Sequence, residues 1–476
     1  MPARTPSSGF EGYAPEVRKA LEKLGLGPGE RACVESEGKA WEGLVMPRIV
    51  GDPSILVLKL DNGYNVGVKV DAKTKISRGK EARKEVRKAA EDVHPGHKAK
   101  ALPHDPNKPT ITILHTGGTV ASKLDYRTGA VQPIFTAEDL VEMYPELKEI
   151  ANIRARVIFQ MFSEDMESEH WAKLAREISQ EISIEGTDGI IVTHGTDTMH
   201  YTAAALAFAM QNLPVPVLLT GAQRSSDRPS SDAGMNLVCA ARFIAGTDWS
   251  GVGVCMHGSP GDDFCWILPA TRVRKMHTSR RDTFRPINAT AIAKVHWRLN
   301  TIEMLAKGYP KKDASRLLKL DNTFEGKVAL VKLHPGFKAE ALEWYAKNCK
   351  GIVLEGTGLG HAPINHVDEA TAHHPKLLEK IKEMTKAGVA VYMASQCLYG
   401  RVNMNIYSTG RDLLVAGVRP SHMLSEVALV KLGWALGKTK DPKKLDELMQ
   451  KDVAGELLTR TEHDVFPDEG MENRIT

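Results

Sequence analysis

DGIIVTHGTDTMHYTAA, residues 188–204, is the stretch on which the fold turns. Its Gly-Ile-Ile-Val core has no polar alternation, so as a strand it needs cover on both faces, as strands of a parallel α/β sheet do. A hydroxyl-rich turn follows, and then an alanine-rich helical pattern. Working outward, TITILHT (110–116), IRARVIFQ (153–160) and VPVLLTG (215–221) read the same way, with helical patterns after Ser168 and after Asp197. Strand and helix in alternation predict an α/β protein with a parallel, doubly wound sheet. Loops beyond the carboxyl ends of its strands are where chemistry is expected.

Further out, VALVKLH (328–334), GIVLEGTG (351–358) and VAVYMAS (389–395) predict a second, smaller α/β domain with its own parallel sheet, covering 309–476 with its tail. Residues 251–307 read as a β-ribbon and connector, which closes the larger domain, 110–308. Upstream, a short helix around Glu16 to Leu24 precedes alternating β-formers from Glu30 to Val70, punctuated by Gly51-Asp52-Pro53 and Asp61-Asn62-Gly63. Short strands joined by such turns predict a small β-barrel, SH3-like or Sm-like, over residues 1–75. Residues 76–109 read as a basic linker, within a cationic run of Lys73, Lys75, Arg78, Lys80, Arg83, Lys84, Arg87 and Lys88. Such a run is either a solvated connector or a contact for nucleic-acid phosphates.

With 476 residues, 42% of them apolar, the chain can bury more than one core. A net charge of +4 is small for this length and favours neither a tight nucleic-acid binder nor an acidic protein. Cys33, Cys239, Cys255, Cys265, Cys349 and Cys397 are scattered without a C-x-x-C pair, which argues against a zinc knuckle or a disulfide framework and for a cytoplasmic setting. No apolar run approaches the roughly 18 to 20 residues that span a bilayer, so no membrane association is expected. His94, His97, His115, His194, His361, His373 and His374 lack zinc-type spacing, no metal is demanded, and most read as turn or surface residues.

Four elements carry chemistry. HTGGTVAS (115–122) follows a strand and sets two glycines among threonines, a turn that lets backbone approach a ligand closely. THGTDTMHYTAA (193–204) offers Thr196, Asp197 and Thr198 where a helix starts; they can cap it, act chemically, or do both. FSEDM (162–166) lies just past another strand, and VRKMHTS (273–279) contains Lys275, the one lysine expected to be buried. An aliphatic hydroxyl is a poor nucleophile at neutral pH and needs a positioned base, which a hydroxyl, lysine and carboxylate relay can supply.

These elements, in this order, resemble the bacterial-type L-asparaginase family, over roughly Thr110 to Gly437. TGGTVAS matches the family's first threonine motif, HGTDTM its second, SEDM the segment that holds the substrate's amino and carboxylate groups, and GAQRSSDRPSSDAGMNL (221–237) its long loop and helix. The resemblance implies that Thr116 is the nucleophile and that Thr196, Asp197 and Lys275 form a second triad. It assigns Ser163 and Glu164 to the amino-acid end of the substrate. Tyr126, in DYRTG, matches the mobile-loop tyrosine that helps activate the nucleophile and lies against the substrate. Backbone N–H groups of Gly117-Gly118-Thr119 and of the Thr196 region would receive the oxyanion.

The family includes free-standing L-asparaginases and the glutaminase subunits of archaeal tRNA-dependent amidotransferases. Plain asparaginases begin close to the first threonine motif, whereas here that strand starts only at Thr110. Glu164 stands where they commonly have glutamine, and SQCLYGRVN (395–403) is worded more like the amidotransferase subunit. The resemblance therefore implies hydrolysis of glutamine, with ammonia passed to an amidotransferase E subunit that acts on tRNA(Gln) charged with Glu. ATP and Mg are expected in that partner and no cofactor in this chain, whose Gly437-Lys438-Thr439 lacks the P-loop glycine at Leu432. A homodimer core is implied by the family. The alternatives are a free-standing L-asparaginase and a non-catalytic tRNA-binding scaffold; the scaffold predicts lost catalytic hydroxyls, which are present.

Overall fold

A computed structural model of the chain describes residues 13–36, 38–46, 52–60, 65–79, 104–118, 122–124, 131–133, 136–225, 230–460 and 465–466. The apolar run at 190–192 lies in the Gly189–Thr193 strand, buried along its whole length. Strand side chains alternate between faces. Ile191 packs with Ile111, Ile113 and Leu218 against the Ala233–Gly246 helix, while Ile190 and Val192 join Leu114, Val217 and Leu219 against the Ser168–Ser183 and Met199–Ala209 helices. Each such side chain taken out of water contributes roughly 1.5–3 kcal/mol, and both helical layers are needed to collect it.

The strands form an eight-stranded sheet in the order 302–304, 293–296, 264–269, 251–257, 216–220, 189–193, 110–115, 152–157. The five strands from 251–257 to 152–157 are parallel, and the three beyond 251–257 are antiparallel. The sheet is thus mixed where a parallel one was expected, and four segments of 251–307 are strands of it rather than connector. The reason lies in the face that these strands bury: Cys265, Ile267, Ala293 and Val295 enter the same core as the Ala233–Gly246 helix. Val273–Lys275 and Phe284–Pro286 pair with each other as a separate two-stranded ribbon.

A four-stranded parallel sheet follows, in the order Val328–Lys332, Gly351–Gly356, Ala390–Ser395, Arg419–Pro420. Alternation again divides its core, with Ile352 and Leu354 against the His374–Lys386 helix and Val353 against Ser425–Lys438. The Ser425–Lys438 helix also packs on Met199–Ala209, so Ala204, Ala205 and Phe208 share a core with Val427, Ala428 and Trp434. The rings of Phe208 and Trp434 stack with centroids 5.8 Å apart.

At the N-terminus, the Pro15–Lys23 helix lays Val17 and Leu21 on an antiparallel five-stranded sheet, against Val34, Leu56 and Leu58. The strand order is 65–69, 55–60, 39–45, 31–36, 75–78. Lys75–Arg78 is the edge strand, paired with residues 32–35. The basic run therefore begins inside the sheet: Ile76 packs on its core while Lys75, Ser77 and Arg78 face solvent. Lys80, Arg83, Lys84, Arg87 and Lys88 lie outside the described residues.

Candidate active site

Three neighbouring strands, 189–193, 110–115 and 152–157, deliver their following loops to one end of the large sheet. Thr116 leaves the central one. Its hydroxyl is buried and donates to the Thr193 carbonyl at 3.0 Å, as does its own N–H, also at 3.0 Å. For Thr116 Oγ1 to attack a carbonyl, that proton must rotate away from Thr193 to a base.

The loops press together backbone to backbone. A Cβ on Gly117 would lie 1.9 Å from the Met161 carbonyl oxygen, and one on Gly118 would lie 2.9 Å from the Gly195 nitrogen. Both residues have positive φ, +125° and +84°, the region in which glycine carries little steric cost. Gly195 in turn abuts Ser163, with a would-be Cβ 2.8 Å from Ser163 Cβ and Oγ.

On the neighbouring loop, Lys275 Nζ donates to Thr196 Oγ1 at 3.0 Å and to Asp197 Oδ1 at 2.8 Å. Thr196 is buried, the Lys275 side chain is 11% exposed and that of Asp197 66%. Lys275 is thus largely covered, but it is not the one buried lysine that was expected, since Lys59 and Lys431 are buried more fully, and the Asp197 carboxylate is exposed. Because the ammonium donates to Thr196 Oγ1, the Thr196 O–H is left to point elsewhere. Of the three candidate caps, Thr198 stands at the N-cap, but its hydroxyl accepts no hydrogen bond from the helix and instead donates to the Ser163 carbonyl at 2.6 Å. That bond ties the Thr196 loop to the Ser163 loop.

Ser163 and Glu164 lie in a single 3-10 turn, Ser163–Asp165, with Ser163 buried and Glu164 exposed. Ser163 Oγ is 3.5 Å from Glu164 Oε2. Tyr126 and Thr119 lie outside the described residues.

His115 and His194, two of the seven histidines of which most were expected at turns or on the surface, are buried beside the site. His115 Nδ1 is 2.7 Å from Thr193 Oγ1; His194 Nδ1 is 2.7 Å from the Gly195 carbonyl, and its Nε2 is 3.1 Å from Met166 Sδ. Burial, reinforced by the neighbouring His194, pushes His115 down to about 3, and burial pushes His194 down to about 4 despite its bond to Gly195. Both are neutral at pH 7, and the Gly195 carbonyl requires that His194 carry its proton on Nδ1. Sequence reasoning missed the role of Thr193 and the cross-loop bond of Thr198, which join segments 77 and 35 positions apart. No local pattern marks them.

A buried hydroxyl at one strand end, beside a hydroxyl–lysine–carboxylate group at the next, is suited to acyl transfer through an oxygen nucleophile. Comparison with known proteins gives the same class. Residues 110–307 match the family model for the N-terminal domain of asparaginase, and residues 327–449 that for the glutaminase/asparaginase C-terminal domain. The fold is similar to that of the thermostable L-asparaginase from Thermococcus kodakarensis, with a TM-score of 0.65, 33% identity, and cover of 73% of this chain and 99% of that one. L-asparaginase I from Vibrio cholerae is similar at a TM-score of 0.63 and 27% identity, over 74% of this chain and 99% of that one. Within that class the match narrows, because residues 26–78 fit the model of the GatD N-terminal domain. The D subunit of glutamyl-tRNA(Gln) amidotransferase from Thermococcus kodakarensis is 47% identical over 95% of this chain and 99% of its own length. Its counterpart from Methanothermobacter thermautotrophicus is 46% identical over 94% and 98%. The chain belongs to the family of glutamyl-tRNA(Gln) amidotransferase D subunits.

Proposed function

We infer that this chain is the glutaminase subunit of a Glu-tRNA(Gln) amidotransferase. The observation that carries the reading is the N-terminal sheet: the T. kodakarensis L-asparaginase is used up, at 99% of its length, after covering 73% of this chain, while the amidotransferase relatives match along nearly all of it. We propose the division of the chain into an N-terminal module (1–75, a small barrel), a basic linker (76–109), a larger catalytic domain (110–308) and a smaller domain (309–476) as part of the same reading.

In the proposed reaction, Thr116 Oγ1 attacks the side-chain amide carbon of glutamine, and its proton passes through the Thr196 hydroxyl to Lys275 Nζ, which has first given a proton to solvent. Asp197 orients the lysine and meets the substrate ammonium, which the exposed carboxylate at the rim suits. Ser163 and Glu164 hold the amino-acid end, and Tyr126 assists Thr116. Backbone N–H groups of the glycine turn stabilise the oxyanion. The C–N bond breaks, ammonia leaves with the returned proton, and water hydrolyses the Thr116 ester to release glutamate. Ammonia then goes to an E subunit holding ATP and Mg, which acts on tRNA(Gln) charged with Glu. This chain needs no cofactor for its own step, works in the cytoplasm, and forms a homodimer core.

Ammonia release from glutamine and from asparagine, measured with and without the E subunit and glutamyl-tRNA, tests the reading. Glutamine turnover that rises with partner and tRNA is the expected result. Fast asparagine hydrolysis indifferent to both would make the chain a free-standing asparaginase.

A further inference from the structure

We propose that Glu426 is a positioning residue for Lys275, acting through Arg274; the proposal rests on the reading of Lys275 as a member of the catalytic relay. Successive side chains of a strand point opposite ways. At the end of Val273–Lys275, Lys275 turns to Thr196 and Asp197, at 3.0 and 2.8 Å, and Arg274 turns to Glu426 Oε1, at 2.7 Å. Glu426 lies in the first turn of the Ser425–Lys438 helix, where the helix dipole favours a carboxylate, and its side chain is 5% exposed. A carboxylate removed from water to that degree holds its cation strongly, because loss of the partner strands a buried charge. Its second oxygen is 3.2 Å from Ser425 Oγ, which lies 2.7 Å from Glu355 Oε1, and Glu355 pairs with Lys332 at 3.2 Å. Arg274 is thus tethered to a charged network rooted in the smaller sheet.

The ribbon's apolar hold is on the larger domain, through Val273 and Phe284, both buried in its core. Each strand is three residues long, and an isolated hairpin is marginal at best. Its flanks are also fastened to the smaller domain. Thr271 Oγ1 donates to the Ala454 carbonyl at 3.0 Å and Arg272 Nη2 to the Leu457 carbonyl at 2.6 Å, before the ribbon. Past it, Asn288 Nδ2 donates to the Leu398 carbonyl at 3.0 Å and Asn288 Oδ1 accepts from the Gly400 N–H at 2.9 Å. Of these attachments, Arg274–Glu426 is the one next to Lys275. Thr196 and Asp197 precede the Met199–Ala209 helix, which packs on Ser425–Lys438, so the starts of two packed helices flank Arg274 and Lys275. A displacement of about 1 Å suffices to break the Nζ contacts and costs on the order of 100-fold in rate.

The test is ammonia release by the full chain, with partner subunit and tRNA, for Glu426→Gln, Arg274→Met and the double variant. Each single variant is expected to lower kcat by roughly 10- to 100-fold and to change KM by less than that, because the displaced group is the proton acceptor while Asp197, which meets the substrate ammonium, stays on its own loop. The double variant is expected to be no slower than the slower single, as two halves of one device behave. A crystal structure of Glu426→Gln is expected to show Lys275 Nζ withdrawn from Thr196 Oγ1. A kcat within about two-fold of the unsubstituted chain, or an unmoved Lys275 in that structure, overturns the proposal and leaves Glu426 a structural residue. Should Glu426→Gln not fold, Arg274→Lys, which keeps the cation and loses the fork, carries the same readouts. If the unsubstituted chain hydrolyses neither amide, the glutaminase reading fails, and the position of Lys275 in the variant structure still decides this one.

Discussion

At the scale of single residues, the candidate site depends on two hydroxyls whose protons have different surroundings. Thr116 is held by one backbone carbonyl, and Thr196 by an ammonium. Thr116→Val keeps the volume and removes a hydrogen bond worth about 1 kcal/mol, so the fold should survive. Glutamine turnover should fall by something on the order of 10⁶-fold, as when an activated serine nucleophile is removed. A folded Thr116→Val protein that still releases ammonia would sink the nucleophile assignment. Lys275→Met leaves Thr196 without its donor and the relay without a proton acceptor, for an expected loss of roughly 10²- to 10⁴-fold in kcat. Unaltered kcat would make Lys275 a structural cation for Asp197. It was the resemblance to the asparaginase family, carried by the motifs, that nominated both residues. The sequence was silent on Thr193, because a carbonyl that receives a catalytic hydroxyl leaves no trace in its own side chain.

At the scale of elements, the turn after Thr110–His115 is shaped by contact with two other loops, more than by its own preferences. Gly117→Ala would drive a methyl into the Met161 carbonyl at a φ of +125°. The expected cost is about 1–3 kcal/mol from backbone strain, together with loss of turnover as Thr116 shifts. Thermal unfolding and ammonia release measured on one preparation check both; a variant as stable and as active as the parent would show that the loop has room. The glycines were legible as a turn in the sequence, but the reason for them was not, since Met161 lies 44 residues downstream of Gly117. The same holds for residues 264–304. Their strands are short, and only the core beneath the Ala233–Gly246 helix makes them sheet and not connector.

Across the whole molecule, burial of neutral histidines links stability to pH. His115, His194 and His200 are lowered from 6.5 to about 3, 4 and 3, in each case chiefly by loss of water, with nearby cations adding to the effect at His200. The unfolded chain binds a proton at each below pH 6.5, while the folded chain refuses it until about pH 4 or 3. Stability is therefore complete above pH 6.5 and declines as the pH falls toward 4, by up to roughly 1.4 kcal/mol per pH unit for each histidine. Urea denaturation between pH 7 and 5 should show this decline, and His200→Gln should make it shallower by one histidine's share. An identical slope in parent and variant would mean that His200 is protonated in the folded chain.

What the sequence determined by itself is what is encoded locally. Apolar runs marked the strands, turn residues marked the N-terminal sheet, and the motifs around Thr116, Ser163, Thr196 and Lys275 marked the site and its family. Only the tertiary structure decided that the large sheet is mixed, that Lys75–Arg78 belongs to the N-terminal sheet, and that His115 and His194 are buried. The physical reason is common to all three. Edge pairing, burial and ion pairing are set by which surfaces meet, and the partners are tens to more than a hundred residues away, as with Arg274 and Glu426.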